Sequence, residues 1–123
     1  MASISRDQFE SLVRRVLSQL PDEFKARLDN VDIVVDDIAS KDQLIGTGIQ
    51  REIDLLGLYE GIPLTERYGY DMILPDKITI FQNPVESACE SQEQIAEEIK
   101  ITILHEIAHH FGIDDSTLGE IGI

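Results

Sequence analysis

Apolar residues open the chain with a helical period. Phe9, Leu12, Val13, Val16, Leu17 and Leu20 follow the i, i+3, i+4, i+7, i+8, i+11 spacing that gathers side chains onto one face of an α-helix. Ser5 with Gln8 forms a capping box at its start, the hydroxyl and the amide each satisfying a backbone N–H that the helix leaves without a partner. Pro21 breaks this helix and stands in the first turn of a short second one over Asp22–Leu28. In a helix that opens a small domain, such a stripe is expected to face the core.

The period then changes to two. Val31–Ile38 is β-branched, with Val31, Ile33 and Val35 on one face, and reads as a strand. Lys41–Gly48 reads as a loop whose Gly46-Thr47-Gly48 is too little to indicate phosphate binding. Ile53–Tyr59 is a second expected strand, and Asp76–Asn83 a third that Pro84 ends. Between them Gly61–Pro75 is the longest irregular stretch, and a stretch this long in a small domain is expected to rim a cleft.

The last long element is again helical. Ser91 with Gln94 suggests another capping box, opening a helix of about Gln92–Phe111. Ile95, Ile99, Ile101, Ile103, Leu104, Ile107, Ala108 and Phe111 leave so little of it polar that burial is expected nearly all round. Ser116–Ile123 forms a short return. The chain shows no repeat, low-complexity tract or linker, so residues 1–123 are expected to form a single domain.

Composition narrows the classes of function. Hydrophobic content of 42% argues against a disordered chain. A net charge of −14 argues against nucleic acid, whose phosphates need Lys and Arg to replace their counterions. The acids are spread along the chain, which makes most of them a solvated surface. Cys89 is the only cysteine, so no internal disulfide can form and a reducing compartment is expected. Its acidic neighbours would raise the thiol pKa, which disfavours a catalytic thiol. The polar start of the chain lacks the apolar core of a signal peptide, and no apolar run approaches the ~20 residues of a membrane span. A cytoplasmic location follows as the expectation.

Against this background the histidines stand out. All three lie in His105-Glu106-Ile107-Ala108-His109-His110-Phe111-Gly112-Ile113-Asp114-Asp115, which spells H-E-x-x-H-x-x-G-x-x-D. Side chains four residues apart share a helix face with Cβ atoms about 5–6 Å apart, so His105 and His109 can converge on one Zn2+ ion. Glu106, about 100° around the helix, flanks the metal without binding it and is placed to act as general base toward a water held there. Gly112 can end the helix in a positive-φ conformation and let the chain return with a third ligand. Asp115 has the matching offset, with Asp114 and Glu120 as alternatives. His110 points away from the His105/His109 face and reads as packing or capping. Tyr59, Tyr68 and Tyr70 are candidates for a hydrogen bond to a developing oxyanion.

Three segments together, Leu56-Gly-Leu-Tyr-Glu-Gly-Ile-Pro-Leu64, Leu74-Pro-Asp-Lys-Ile-Thr-Ile-Phe81 and His105–Asp115, resemble the small bacterial zincin-like metallopeptidases. The resemblance spans about Leu55 to the C-terminus and the first helix loosely. It implies an α+β, zincin-like fold: a small three-stranded sheet against an N-terminal helix and a long C-terminal metal-binding helix. It also implies a zinc site of His105, His109 and Asp115 with Glu106 as base. By analogy with larger zincins, whose sheet edge takes up a peptide as an added strand, Lys77–Gln82 is the expected substrate-facing strand. No methionine follows the motif, so the Met-turn of metzincins is absent. With only Ser116–Ile123 beyond it, a deep cleft with a far wall is not expected.

The leading expectation is therefore a zinc-dependent peptidase of narrow specificity acting on a peptide or protein substrate. A metal hydrolase acting on another bond and a non-catalytic metal-binding or regulatory protein are the alternatives. Structural zinc usually takes four protein ligands, commonly several cysteines, and this chain has one cysteine.

Overall fold

The amphipathic stripe becomes helix α1, Arg6–Gln19, in the computed structural model, which describes residues 2–61 and 76–111. Ser5 Oγ accepts the Gln8 N–H at 3.1 Å and Gln8 Oε1 accepts the Ser5 N–H at 3.0 Å, so the capping box forms in both directions. Phe9, Val13 and Val16 are buried, and Leu20 just beyond the helix joins them. Pro21 stands one position ahead of α2, Asp22–Arg27, where its carbonyl accepts the Phe24 and Lys25 N–H groups and its missing N–H costs nothing. Phe24 is the buried residue of α2.

Strand β1, Val31–Asp36, turns Val31, Ile33 and Val35 toward the main core, as its alternation implies. It runs parallel to β3, Asp76–Phe81, in a register from Val31 opposite Asp76 to Asp36 opposite Phe81. Strand β2, Gly57–Glu60, pairs antiparallel with the other side of β3, from Gly57 opposite Ile80 to Glu60 opposite Lys77. The sheet order is β1-β3-β2. Alternation splits β3 between two layers. Ile78 and Ile80 join the core built with α1 and the last helix, whereas Phe81 joins a smaller cluster with Ala39 and Leu55 on the opposite face.

Several element boundaries differ from the sequence reading, among them β1 and α2, which stop at Asp36 and Arg27 instead of Ile38 and Leu28. Lys41–Gly48 is not all loop: Ser40 and Gln43 make a further capping box around a short helix α3, Lys41–Leu44. Residues 52–54 form a 3₁₀ turn rather than strand, and the Arg51 guanidinium closes across it on both Asp54 carboxylate oxygens at 2.8 and 3.0 Å. Strand β3 ends at Phe81, and Pro84 does not stop it. Pro84 sits in the first turn of helix α4, Gln82–Ser87, where a helix has no use for the proline's missing N–H.

Helix α4 also anchors the start of the chain through buried polar groups. Gln82 Oε1 accepts the Arg6 Nε–H at 2.9 Å and its amide donates to the Ile4 carbonyl at 3.0 Å. Glu86 accepts the Ile4 N–H at 2.8 Å. Arg6 also donates to the Val35 carbonyl and to Asp37 just past β1. Because buried polar groups left unpaired are costly, this network fixes how α1, β1 and α4 meet.

The final helix, α5, spans Gln92–Phe111, the range that its pattern predicts. Ser91 caps it by accepting the Gln94 N–H, but the Gln94 side chain reaches back to the Glu90 N–H instead of closing a reciprocal box. Ile95, Ile99, Ile103, Leu104, Ile107 and Ala108 are buried, Ile101 is half-buried, and Glu93, Glu97, His105 and His109 are exposed. Burial all round is therefore corrected to burial of one broad face. The histidines of the motif occupy the other face. No described helix is long and apolar enough to cross a membrane.

Candidate metal centre

The last two turns of α5 carry the chemistry. His105 and His109 project side by side, ring centroids 6.3 Å apart and planes at 46°. Rings at this separation can share an ion bonded to one nitrogen of each at about 2.0–2.1 Å. The buried neighbours Ile103, Leu104, Ile107 and Ala108 hold the same turns against the core, so the exposed rings stand on a fixed backbone.

Glu106 has a different environment from the histidines around it. Its side chain is 19% exposed, against 78% for His109, and its Oε2 lies 4.0 Å from His109 Nδ1. Burial pushes the carboxyl above the usual glutamate range, and His109 acts in the opposite sense. A carboxylate made more basic beside two exposed imidazoles is suited to taking up a proton.

His110 takes no part in that face. Its ring lies flat on Tyr59, centroids 3.8 Å apart and planes at 13°, and its Nε2 is 3.9 Å from Asp76 Oδ2. Tyr59 donates its hydroxyl to the same Asp76 oxygen at 2.8 Å. The geometry agrees with the reading of His110 as a packing residue. It also commits the Tyr59 hydroxyl to Asp76, away from the oxyanion role considered for it.

The sequence reading missed what β2 does here. A Cβ on Gly57 would stand 2.4 Å from Thr102 Cγ2, so only glycine lets α5 approach the strand this closely. The signal was a glycine inside a stretch expected to be a strand, which marks a bulge or a close approach of another element. Tyr59 gave no comparable signal, since stacking partners far apart in sequence have no local signature.

Among the described residues, no group of three or more His, Cys, Asp or Glu side chains stands close enough to hold a metal together. These residues supply two imidazoles. The expected third ligand Asp115, its alternatives Asp114 and Glu120, the hinge Gly112, and Tyr68 and Tyr70 lie outside the described residues. The Lys77–Gln82 segment cannot be the edge that takes up a peptide, because β3 is the central strand with β1 and β2 on its two sides. Cys89 is buried, and burial together with the nearby Glu98 and Glu90 charges pushes its thiol pKa up, which fits a packing role.

The zincin-like metallopeptidase family matches residues 28–123. Among solved structures, a conserved hypothetical protein from Thermo thermophilus is similar, with a TM-score of 0.56 and 23% identity over 94% of this chain and 99% of that one. At that identity the likeness speaks for the fold. No curated protein matches.

Proposed function

Because this chain belongs to the zincin-like metallopeptidase family, we propose that it is a zinc-dependent peptidase of narrow specificity. In this reading His105, His109 and Asp115 hold the metal and Glu106 is the general base. The observation that carries it is the contrast within one helical turn: two exposed imidazoles able to share an ion, and a partly buried carboxyl of raised pKa between them. Zinc, when bound, supplies Lewis acidity toward a carbonyl and makes a water easier to deprotonate. The protein's own part is positional. The Glu106 carboxylate accepts the proton of the attacking water on one oxygen and later delivers it to the departing amine, a proton transfer helped by a pKa nearer neutrality.

The same reading places the protein in the cytoplasm, supported by a single cysteine that is buried and unpaired, and its acidic surface argues against nucleic acid as substrate. The test is Glu106→Gln, assayed with a peptide library with and without a chelator. The wild type should cleave in a chelator-sensitive way, and the variant should keep its zinc while losing activity. Chelator-insensitive or absent cleavage by the wild type would turn the reading toward a metal-binding protein without catalysis.

A further inference from the structure

Strand β2 touches α5 at two separated points, and the two points bracket His105, Glu106 and His109. Near the start of the strand, Gly57 admits Thr102 to a distance at which no other residue type fits. Two residues along the strand, Tyr59 stacks on His110, eight residues further along the helix. His105, Glu106 and His109 all lie between these contacts. At 100° per residue, Thr102 and His110 project about 80° apart, with Glu106 midway between them and His109 about 20° to the far side of Thr102. The half-buried state of Glu106 fits that projection, since the direction midway between the contacts points at the strand.

Taken with the zinc reading above, on which it rests, we propose that the Tyr59–His110 stack, braced by Asp76, is a positioning device for the metal centre. The Gly57–Thr102 contact sets how closely α5 approaches the sheet. It cannot set the rotation of the final turn, which lies two helical turns away. The stack does that: two flat rings 3.8 Å apart and within 13° of parallel oppose a twist of the helix about its axis. Asp76 holds the tyrosine ring in place by accepting its hydroxyl, with the His110 imidazole 3.9 Å from the same oxygen. The residue next to a ligand thereby fixes the angle at which His105 and His109 present their nitrogens. Tyr59, Asp76 and His110 are positioning residues, and none of them need touch metal or substrate.

The experiment compares Tyr59→Leu and His110→Leu, which keep apolar bulk but remove a ring, with Tyr59→Phe and His110→Phe, which keep the stack. Zinc affinity is measured by chelator competition, and ligand geometry by the visible absorption of the Co2+-substituted protein. The leucine variants should bind zinc roughly 10-fold or more weakly, the range seen when partners outside the ligand set are lost, with an altered cobalt spectrum. His110→Phe, which keeps the stack and the Tyr59–Asp76 bond, should stay within about threefold of wild type with its spectrum, and Tyr59→Phe, which keeps the stack but loses that bond, should fall between it and the leucine variants. Ile99→Ala, a core variant away from the stack, controls for lost stability and should keep both. Wild-type affinity and spectrum in the leucine variants would overturn the proposal while leaving the zinc reading intact. An equal loss in Ile99→Ala or in the phenylalanine variants would overturn it too. A wild type that binds no zinc would sink both.

Discussion

The two halves of helix α5 are held in place by different kinds of contact. From Gln92 to Lys100 the helix contributes Ile95 and Ile99 to the core it shares with α1, aliphatic side chains whose packing is apolar and non-directional. From Ile101 onward the aliphatic face continues, but the flank that carries the motif is keyed to β2 by a close glycine approach and a flat ring stack. Apolar burial stabilises a helix by about 1.5–3 kcal/mol per large side chain, yet it tolerates small rotations and slides. A pair of ring nitrogens sharing one ion, the role proposed for His105 and His109, would not. Stability and geometry are thus assigned to different residues of a single helix.

Substitutions in each half put this division to the test. The largest effect is expected from His109→Ala in the keyed half, which should abolish stoichiometric zinc while leaving the helical circular dichroism of the metal-free protein in place. Elemental analysis of the purified variant decides it, and full occupancy would overturn the ligand assignment. Glu106→Gln is expected to lower any peptide hydrolysis by about 10²–10⁴-fold with zinc retained, read from initial rates beside metal content.

On the packed side, Ile99→Ala should cost about 2–5 kcal/mol of folding stability, measured by denaturant unfolding, without a matching change in zinc affinity. Gly57→Ala is a smaller lesion with a wider reach. The new methyl group must displace Thr102 or the strand, so about 1–3 kcal/mol is expected to be lost, and zinc affinity should fall with it. If Gly57→Ala left affinity untouched, the keyed half would be no more specific than the packed one.

A pH dependence in the metal-free protein is the mildest of these effects. Burial raises the Glu106 pKa in the folded state, so this residue favours folding while it is protonated in both states. That contribution is lost as pH climbs from the ordinary glutamate value of about 4.3 through the higher folded one. Glu106→Gln removes the dependence. The melting temperature of the variant should therefore gain on that of the wild type as pH rises above about 4.3, and parallel curves would argue against a buried carboxyl.

Much of this was legible in the sequence because the signals were local. The stripe from Phe9 to Leu20, the Ser5/Gln8 box and the 92–111 helix need only periodicity and capping chemistry, and the structure has them. The His105/His109 pair was legible for the same reason, since four residues of helix fix their relation. Pro84 misled because one residue type ends a strand and also suits the first turn of a helix, and the α4 network that decides between them involves Ile4 and Arg6, far away in sequence. The place of β3 at the centre of the sheet is likewise a property of pairing, which strand propensity does not encode. Tyr59 and His110 are remote along the chain, and only the fold brings them together.

The partnership of α1 with α5 bears on biosynthesis. The apolar side chains Phe9, Val13 and Val16 are made well before Ile95, Ile99, Ile103 and Ile107, with which they share one core. At about 5–20 residues per second, the nascent chain spends several seconds with that patch open to solvent and to other chains. A product halted at residue 91 should accordingly bind a hydrophobic dye that the full-length protein excludes. The turns that carry His105 and His109 are made later still.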